Sequence, residues 1–223
     1  MTAPIIVAID GPSGVGKSTV SKLVARDLKI PHIDTGAMYR AIGLAALRRA
    51  VDLRDAQALE RLASSSHIEF VPGDNPKVLL DGEDVTGKIR TPEVSMAASH
   101  VSAIPAVRRV LVRLQRELGR AVGGVLEGRD IGTKVFPLTP HKFFLTATPK
   151  VRAERRFQDL MGQGTPLPFD TVFAESLKRD EQDSTRADSP LTYDETYAVI
   201  DTSSLTIPEV VDAIVRKVRS HVS

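Results

Sequence analysis

Gly11-Pro12-Ser13-Gly14-Val15-Gly16-Lys17-Ser18-Thr19 fits the phosphate-binding loop pattern G-x-x-x-x-G-K-S/T, and its two flanks are what such a loop requires. Before it, Pro4-Ile-Ile-Val-Ala-Ile9 is a short apolar run of strand type; after it, Val20, Leu23, Val24 and Leu28 recur at helical spacing. Strand, glycine turn and helix start therefore stand in the order that cradles a polyphosphate. Gly11, Gly14 and Gly16 remove side chains so that successive backbone N–H groups can converge on phosphate oxygens. A helix opening at Lys17 adds the positive end of its dipole. Lys17 would reach the β and γ phosphates of a nucleoside triphosphate, and Ser18 a magnesium ion.

The rest of the chain limits what can surround this loop. At 223 residues and 42% apolar, it is long enough for one sizeable α/β core with one or two inserted pieces. No apolar run approaches the roughly 20 residues that span a bilayer. Met1-Thr-Ala-Pro-Ile also lacks a basic stretch followed by an apolar one, so a cytoplasmic protein with no membrane partner is expected. There is no cysteine, which excludes disulfides, thiolate zinc sites and cysteine catalysis. Thirty basic residues against 28 acidic ones, a net charge of +2, are too balanced for a nucleic-acid groove. Where the arginines stand matters more than how many there are.

Strand-like runs alternate with helical periods, the pattern of a parallel sheet with crossover helices. Candidate strands are Ile5 to Ile9, His32 to Asp34, Gly124 to Leu126, Lys142 to Leu145 and Tyr197 to Asp201. Each is followed by loop chemistry: Asp10-Gly-Pro, Asp34-Thr-Gly, Glu127-Gly-Arg-Asp, Thr146-Ala-Thr-Pro and Asp201-Thr-Ser-Ser. In open α/β sheets ligands bind beyond the carboxyl ends of the strands, so these loops mark one working face. Two interruptions break the pattern. His67-Ile-Glu-Phe-Val and Lys77-Val-Leu-Leu, separated by Pro72-Gly-Asp-Asn-Pro and followed by Asp81-Gly-Glu-Asp, predict a small antiparallel meander. Helical spacing then resumes over Glu93 to His100 and through Val107, Leu111, Leu114 and Leu118. From Pro149 to about Asp170 an arginine-rich helix runs into Gly162-Gln-Gly-Thr-Pro-Leu-Pro, a hinge composition that suits a lid.

Four segments bear on what accepts the phosphate. Asp34-Thr35-Gly-Ala-Met-Tyr39-Arg40 offers a hydroxyl, a ring and a guanidinium within seven residues. Glu127-Gly-Arg129-Asp130-Ile-Gly-Thr places an arginine beside a carboxylate at a strand end. Arg152, Arg155 and Arg156 lie three and four apart, on one side of a helix. Arg179, Asp183 and Arg186 are spaced by four and three, on one helical face. Taken singly, such charges are most often solvated helix pairs worth a few tenths of a kcal/mol. Four clusters beside one phosphate loop read differently. Phosphoryl transfer is catalysed chiefly by cations placed around the moving group, and the planar fork of arginine bonds phosphate bidentately.

The phosphate loop Gly11 to Thr19, Asp34-Thr-Gly-Ala-Met-Tyr-Arg, Gly82-Glu-Asp-Val-Thr-Gly-Lys-Ile-Arg, Glu127-Gly-Arg-Asp-Ile-Gly-Thr and Arg179-Asp-x-x-Asp-x-x-Arg186 occur in the order seen in bacterial cytidylate kinases, and the chain resembles that family over nearly its whole length. The resemblance implies an α/β nucleoside-monophosphate kinase fold of the P-loop class: a five-stranded parallel sheet flanked by helices, an inserted monophosphate-binding domain and a lid. Mapped here, the core would comprise residues 1–34, 110–148 and 171–223. The monophosphate-binding domain would be 35–109, with its antiparallel insert at about 65–92, and the lid 149–170. The implied reaction transfers phosphate from ATP, with Mg2+, to CMP or dCMP. Lys17 would bridge the donor phosphates, Arg40, Arg129 and Arg186 would hold the acceptor phosphate, and Arg152, Arg155 and Arg156 would close over the transferring group. Ser99, Arg108 and Asp130 would read cytosine, Arg179 and Asp183 would meet the sugar, and Thr35 and Tyr39 complete the acceptor side. Thr35 stands where serine is common and keeps the hydroxyl; Glu127 stands where aspartate is common.

Base chemistry agrees with that assignment. Cytosine presents an N4 donor and N3 and O2 acceptors, so a carboxylate facing N4 and an arginine facing N3 and O2 satisfy it. Uracil would meet like with like, at a cost of several kcal/mol for buried, unpaired groups. A UMP/CMP kinase or a small-metabolite kinase is the alternative within the class. A GTPase switch needs an Asn/Thr-Lys-x-Asp element to read guanine; the only asparagine is Asn75, before a proline, and Thr133-Lys134 continues Val-Phe, although Asp84-Val-Thr-Gly87 does fit D-x-x-G. No apolar stripe is left over once core helices are assigned, so a monomer is expected.

Overall fold

The computed structural model describes residues 4–71, 76–162 and 164–220. The Pro72-to-Asn75 part of the predicted meander turn, and Gln163 of the predicted hinge, lie outside them.

The first strand, β1 (Ile6–Asp10), is apolar without alternation, and Val7, Ala8 and Ile9 are wholly removed from water. That is the signature of a strand covered on both faces, which a parallel sheet provides. It is the middle strand of five. With β2 (His32–Asp34), β6 (Gly124–Gly128), β7 (His141–Thr146) and β8 (Ala198–Asp201) the order is β2-β6-β1-β7-β8, and β1 pairs in parallel with β6 and β7, as β7 does with β8. The five expected strands are therefore present, with ends shifted by a residue or two.

The chain forms two compact units, residues 1–32 with 123–223, and residues 33–122. In the first, α1 (Lys17–Leu28) puts Val20, Val24 and Ala25 against the sheet, and α8 (Ile207–Arg219) adds Val210, Val211, Ile214 and Val218. Burying each large apolar side chain of this kind contributes about 1.5–3 kcal/mol. A reciprocal cap between Thr206 and Glu209 starts α8. Two further helices, α6 (Pro149–Gly162) and α7 (Phe169–Thr185), pack on each other through Phe157, Phe169 and Phe173.

The second unit contains α2 (Thr35–Arg48), α3 (Ala56–Ser65), α4 (Pro92–Ser102) and α5 (Pro105–Val122) around a core that includes Ile42, Leu59, Ile89 and Leu111. The meander is antiparallel as expected: β3 (Ile68–Val71), β4 (Lys77–Leu80) and a two-residue β5 (Glu83–Asp84).

Three differences from the sequence reading have physical causes. Asp34-Thr-Gly is not a loop, because Asp34 accepts from the Ala37 N–H and so starts α2 directly. Glu127 lies inside β6 rather than after it, since its backbone stays in register with Ile9. The expected division at residue 109 falls within α5, a single amphipathic helix that ends at Val122, where the second unit also ends. Helices α3 and α8 lie outside the segments that helical spacing marks in the sequence.

Candidate functional site

The phosphate loop has the geometry its sequence requires. Gly14 adopts a left-handed φ of 79°, and a side chain there would stand 2.7 Å from the Arg152 carbonyl oxygen, so only glycine lets α6 pack against the loop. No side chain caps α1 after Gly16, and no acidic residue stands in its first turn. Its first N–H groups and dipole end therefore remain suited to an anion.

Lys17 is buried behind the loop and donates to the Pro12 carbonyl at 2.5 Å. Burial holds its ammonium well below the usual lysine range, and the positive field of Arg129 adds to this, while Glu127 and Asp183 oppose it. A desolvated cation at this place gains most from a bound polyanion. The Ser18 hydroxyl donates to Glu127 at 2.9 Å, and the other Glu127 oxygen lies 3.0 Å from His32 Nε2. The longer side chain at Glu127 does reach the loop.

Around Lys17 the first unit gathers most of the arginines expected on the acceptor side. Arg129 donates to Asp183 at 2.8 Å, and Arg186 lies 3.5 Å from the other oxygen of the same carboxylate. Burial pushes the Asp183 carboxyl up, but the charges of Arg129, Arg186 and Arg179, with the Arg129 hydrogen bond, outweigh it and hold the group below the usual carboxylate range. Arg186 does not share a helical face with Arg179 and Asp183 as its spacing suggests. The helix stops at Thr185, Arg186 turns extended, and its guanidinium also donates to the Ser189 carbonyl. Asp130 is buried at the start of a short π-type turn (Ile131–Val135), its carbonyl accepting from Lys134 and Val135.

The arginines of α6 diverge. Arg152 is buried and donates to the Ala147 and Ser13 carbonyls, and it pairs with Asp180 at 2.6 Å. Arg155 holds the Thr202 carbonyl and hydroxyl, and Arg156 is half-buried. Asp180 and Thr202 carry no local signature, because their partners are distant in sequence.

In the second unit Arg40 pairs with Asp34 at 2.6 Å, Thr35 is buried, and the buried Arg108 guanidinium lies 5.4 Å from the centre of the Tyr39 ring. Arg108 also donates to the Ser102 carbonyl, and the Ser102 hydroxyl to that of Ser99. Asp34 was legible only as part of a motif; here it both caps α2 and holds Arg40.

Comparison with known proteins joins these features to one family. The chain matches the model of the cytidylate kinase family over residues 7–220. It is 48% identical to the cytidylate kinase of Solibacter usitatus (strain Ellin6076), covering 98% of this chain and 94% of that one. It is 49% identical to the cytidylate kinase of Desulforamulus reducens (strain ATCC BAA-1160 / DSM 100696 / MI-1), over 96% and 97%. A crystal structure of an uncharacterized protein from Eubacterium ventriosum ATCC 27560 shares the fold with a TM-score of 0.55 at 15% identity, covering 97% of this chain and 98% of that one. A phosphate loop on a parallel sheet, the arginines clustered behind it and a match that spans both units lead to one statement: this chain belongs to the cytidylate kinase family.

Proposed function

We propose that the protein transfers the γ-phosphoryl group of ATP to CMP and dCMP. The observation that carries this reading is the buried Lys17, bonded to the Pro12 carbonyl of the phosphate loop in the same unit as the Arg129–Asp183–Arg186 cluster, in a chain that matches the cytidylate kinase family over residues 7–220. Two nucleotides bring several negative charges together, and fixed cations in a water-poor site stabilise the charge spread over the transferring group without reorganising.

Each part is assigned a role in that transfer. The α1 N-terminus and loop amides bind the donor phosphates, with Lys17 at the transferring end. Arg129 and Arg186, held by Asp183, are assigned to the acceptor phosphate, as is Arg40, held by Asp34. Asp130 and Arg108 read cytosine, with Ser99 beside Arg108's segment; the Arg108 guanidinium lies over the Tyr39 ring. Arg179 and Asp183 meet the sugar. Residues 149–170 act as the lid, Arg152 anchoring it to the loop at Ser13 while Arg156 remains the arginine best suited to meet phosphate.

Among the described residues no group of three or more His, Cys, Asp or Glu side chains is placed to hold a metal by itself. The Ser18 hydroxyl and Glu127 carboxylate are hard oxygen donors 2.9 Å apart, which fits Mg2+ arriving on the triphosphate rather than in a protein cage. When bound, the ion neutralises charge on the β and γ phosphates. No helix among the described residues is long and apolar enough to cross a membrane.

Turnover on CMP, dCMP, UMP, AMP and shikimate tests the reading, with CMP and dCMP expected well ahead. Asp130→Asn should narrow the ratio of kcat/KM for CMP over UMP, mainly by lost CMP activity, since one good polar contact is worth about 1–3 kcal/mol. An unchanged ratio with both substrates falling together would remove Asp130 from base recognition.

A further inference from the structure

Asp10 ends β1 immediately before the phosphate loop, and none of the roles above uses it. It has no exposure to solvent. One carboxylate oxygen accepts from the Ile131 N–H at 2.9 Å; the other accepts from the Gly132 N–H at 2.9 Å and from the Tyr197 hydroxyl at 2.8 Å. Three donors from two distant segments thus converge on one carboxylate. The first two belong to the residues that directly follow Arg129 and Asp130. The fit is close, because a side chain at Gly132 would stand 2.5 Å from the Tyr197 oxygen.

We propose that Asp10 is a positioning residue for the acceptor: its carboxylate fixes the turn that carries Arg129 and Asp130 at the height of the phosphate loop, with Tyr197 setting the carboxylate's orientation. The phosphate loop has other supports. Lys17 donates to Pro12, Arg152 donates to Ser13, and α6 closes on Gly14. The Ile131 and Gly132 amides, by contrast, bond to Asp10. A carboxylate can accept from both amides and a hydroxyl at once, whereas the amide of asparagine would turn an N–H₂ group toward one of those donors. The inference rests on the proposed function only in naming CMP as acceptor.

The test is Asp10→Asn, followed by three measurements. Amide hydrogen exchange at Ile131 and Gly132 should accelerate. The kcat/KM for CMP should fall ~10-fold or more, with both KM raised and kcat lowered, because a displacement near 1 Å in a reacting group can cost about a hundredfold. The Kd of ATP without acceptor should change less than ~2-fold, a split that general loosening of the fold does not produce. Tyr197→Phe should shift CMP kinetics in the same direction by a smaller factor, and it serves alone if Asp10→Asn does not fold. Unchanged exchange at the two amides, wild-type CMP kinetics, or equal loss of ATP affinity and CMP use would each overturn the inference. A wild-type protein inactive on CMP would instead overturn the function, leaving the amide exchange to decide the tether.

Discussion

Lys17 trades stability for chemistry in a single side chain. Burial has already depressed the Lys17 ammonium, so the empty protein bears the cost of an ion whose best partner is a phosphate. Lys17→Met should therefore lower turnover by ~100-fold or more while leaving the melting temperature of the ligand-free protein no lower than wild type. Turnover and calorimetry on one preparation check both halves. Asp183 has the opposite character. Its side chain is 11% exposed and it is the carboxylate shared by Arg129 and Arg186, so its loss leaves two guanidinium groups facing each other. Removing one member of such a buried pair costs about 3–5 kcal/mol. Asp183→Ala should lower the melting temperature and reduce kcat on both CMP and dCMP, with CMP losing the larger factor because only it carries a 2′-hydroxyl. Equal factors for the two substrates would assign Asp183 wholly to holding arginines.

At the scale of elements, β2 and α2 meet at Asp34, which caps the helix and pairs with Arg40 in one side chain. Asp34→Ala removes both. The lost cap costs about 1 kcal/mol, roughly 2–4 °C in melting temperature, and the freed Arg40 should raise the acceptor KM without changing the Kd of ATP. Asp34→Ser, which restores a cap but not the ion pair, should recover the melting temperature alone. Elements of this kind are legible in the sequence where the signal is local. The strand, glycine turn and helix around Gly11 to Thr19, the meander and the arginine-bearing α6 all come from periodicity and turn residues within a short window. Spacing failed where pairing is long-range. Arg152 and Arg155 share a side of a helix by count, yet one is spent on Ser13 and Asp180 and the other on Thr202. Asp10 reads as the first residue of a loop, because its partners stand 121, 122 and 187 positions away. Glu127 reads in the sequence only as a departure from aspartate; the fold, with β6 in register beside β1, brings it to Ser18.

For the molecule as a whole, Asp10 gives stability a pH dependence of unusual sign. Burial raises its carboxyl from 3.8 to about 6, the nearby Asp130 charge adds to this, and the Gly132, Ile131 and Tyr197 donors only partly offset it. Between those two values the folded protein holds a proton that the unfolded chain has released. The contribution is therefore fully present below the unfolded value and is lost as pH rises through about 6. At 1.36 kcal/mol per unit the loss is on the order of 3 kcal/mol by neutral pH. Urea unfolding of wild type and Asp10→Asn at pH 4 and pH 7 should show the difference between them moving in the variant's favour at the higher pH. A difference that stays constant would mean that Asp10 titrates normally.

The interrupted first unit has a consequence for how the chain emerges during synthesis. Strand β1 pairs with β6 and β7, whose residues follow more than a hundred positions later, whereas residues 33–122 form a compact unit without a break. On the ribosome the central strand and its phosphate loop must wait, apolar and unpaired, until the intervening unit has been made and has had time to collapse. Closing so long a loop is slow, and an apolar strand left open meanwhile is an aggregation hazard. A destabilised segment 33–122 would lengthen that wait, so substitutions far from any nucleotide could lower the yield of active protein by leaving β1 exposed.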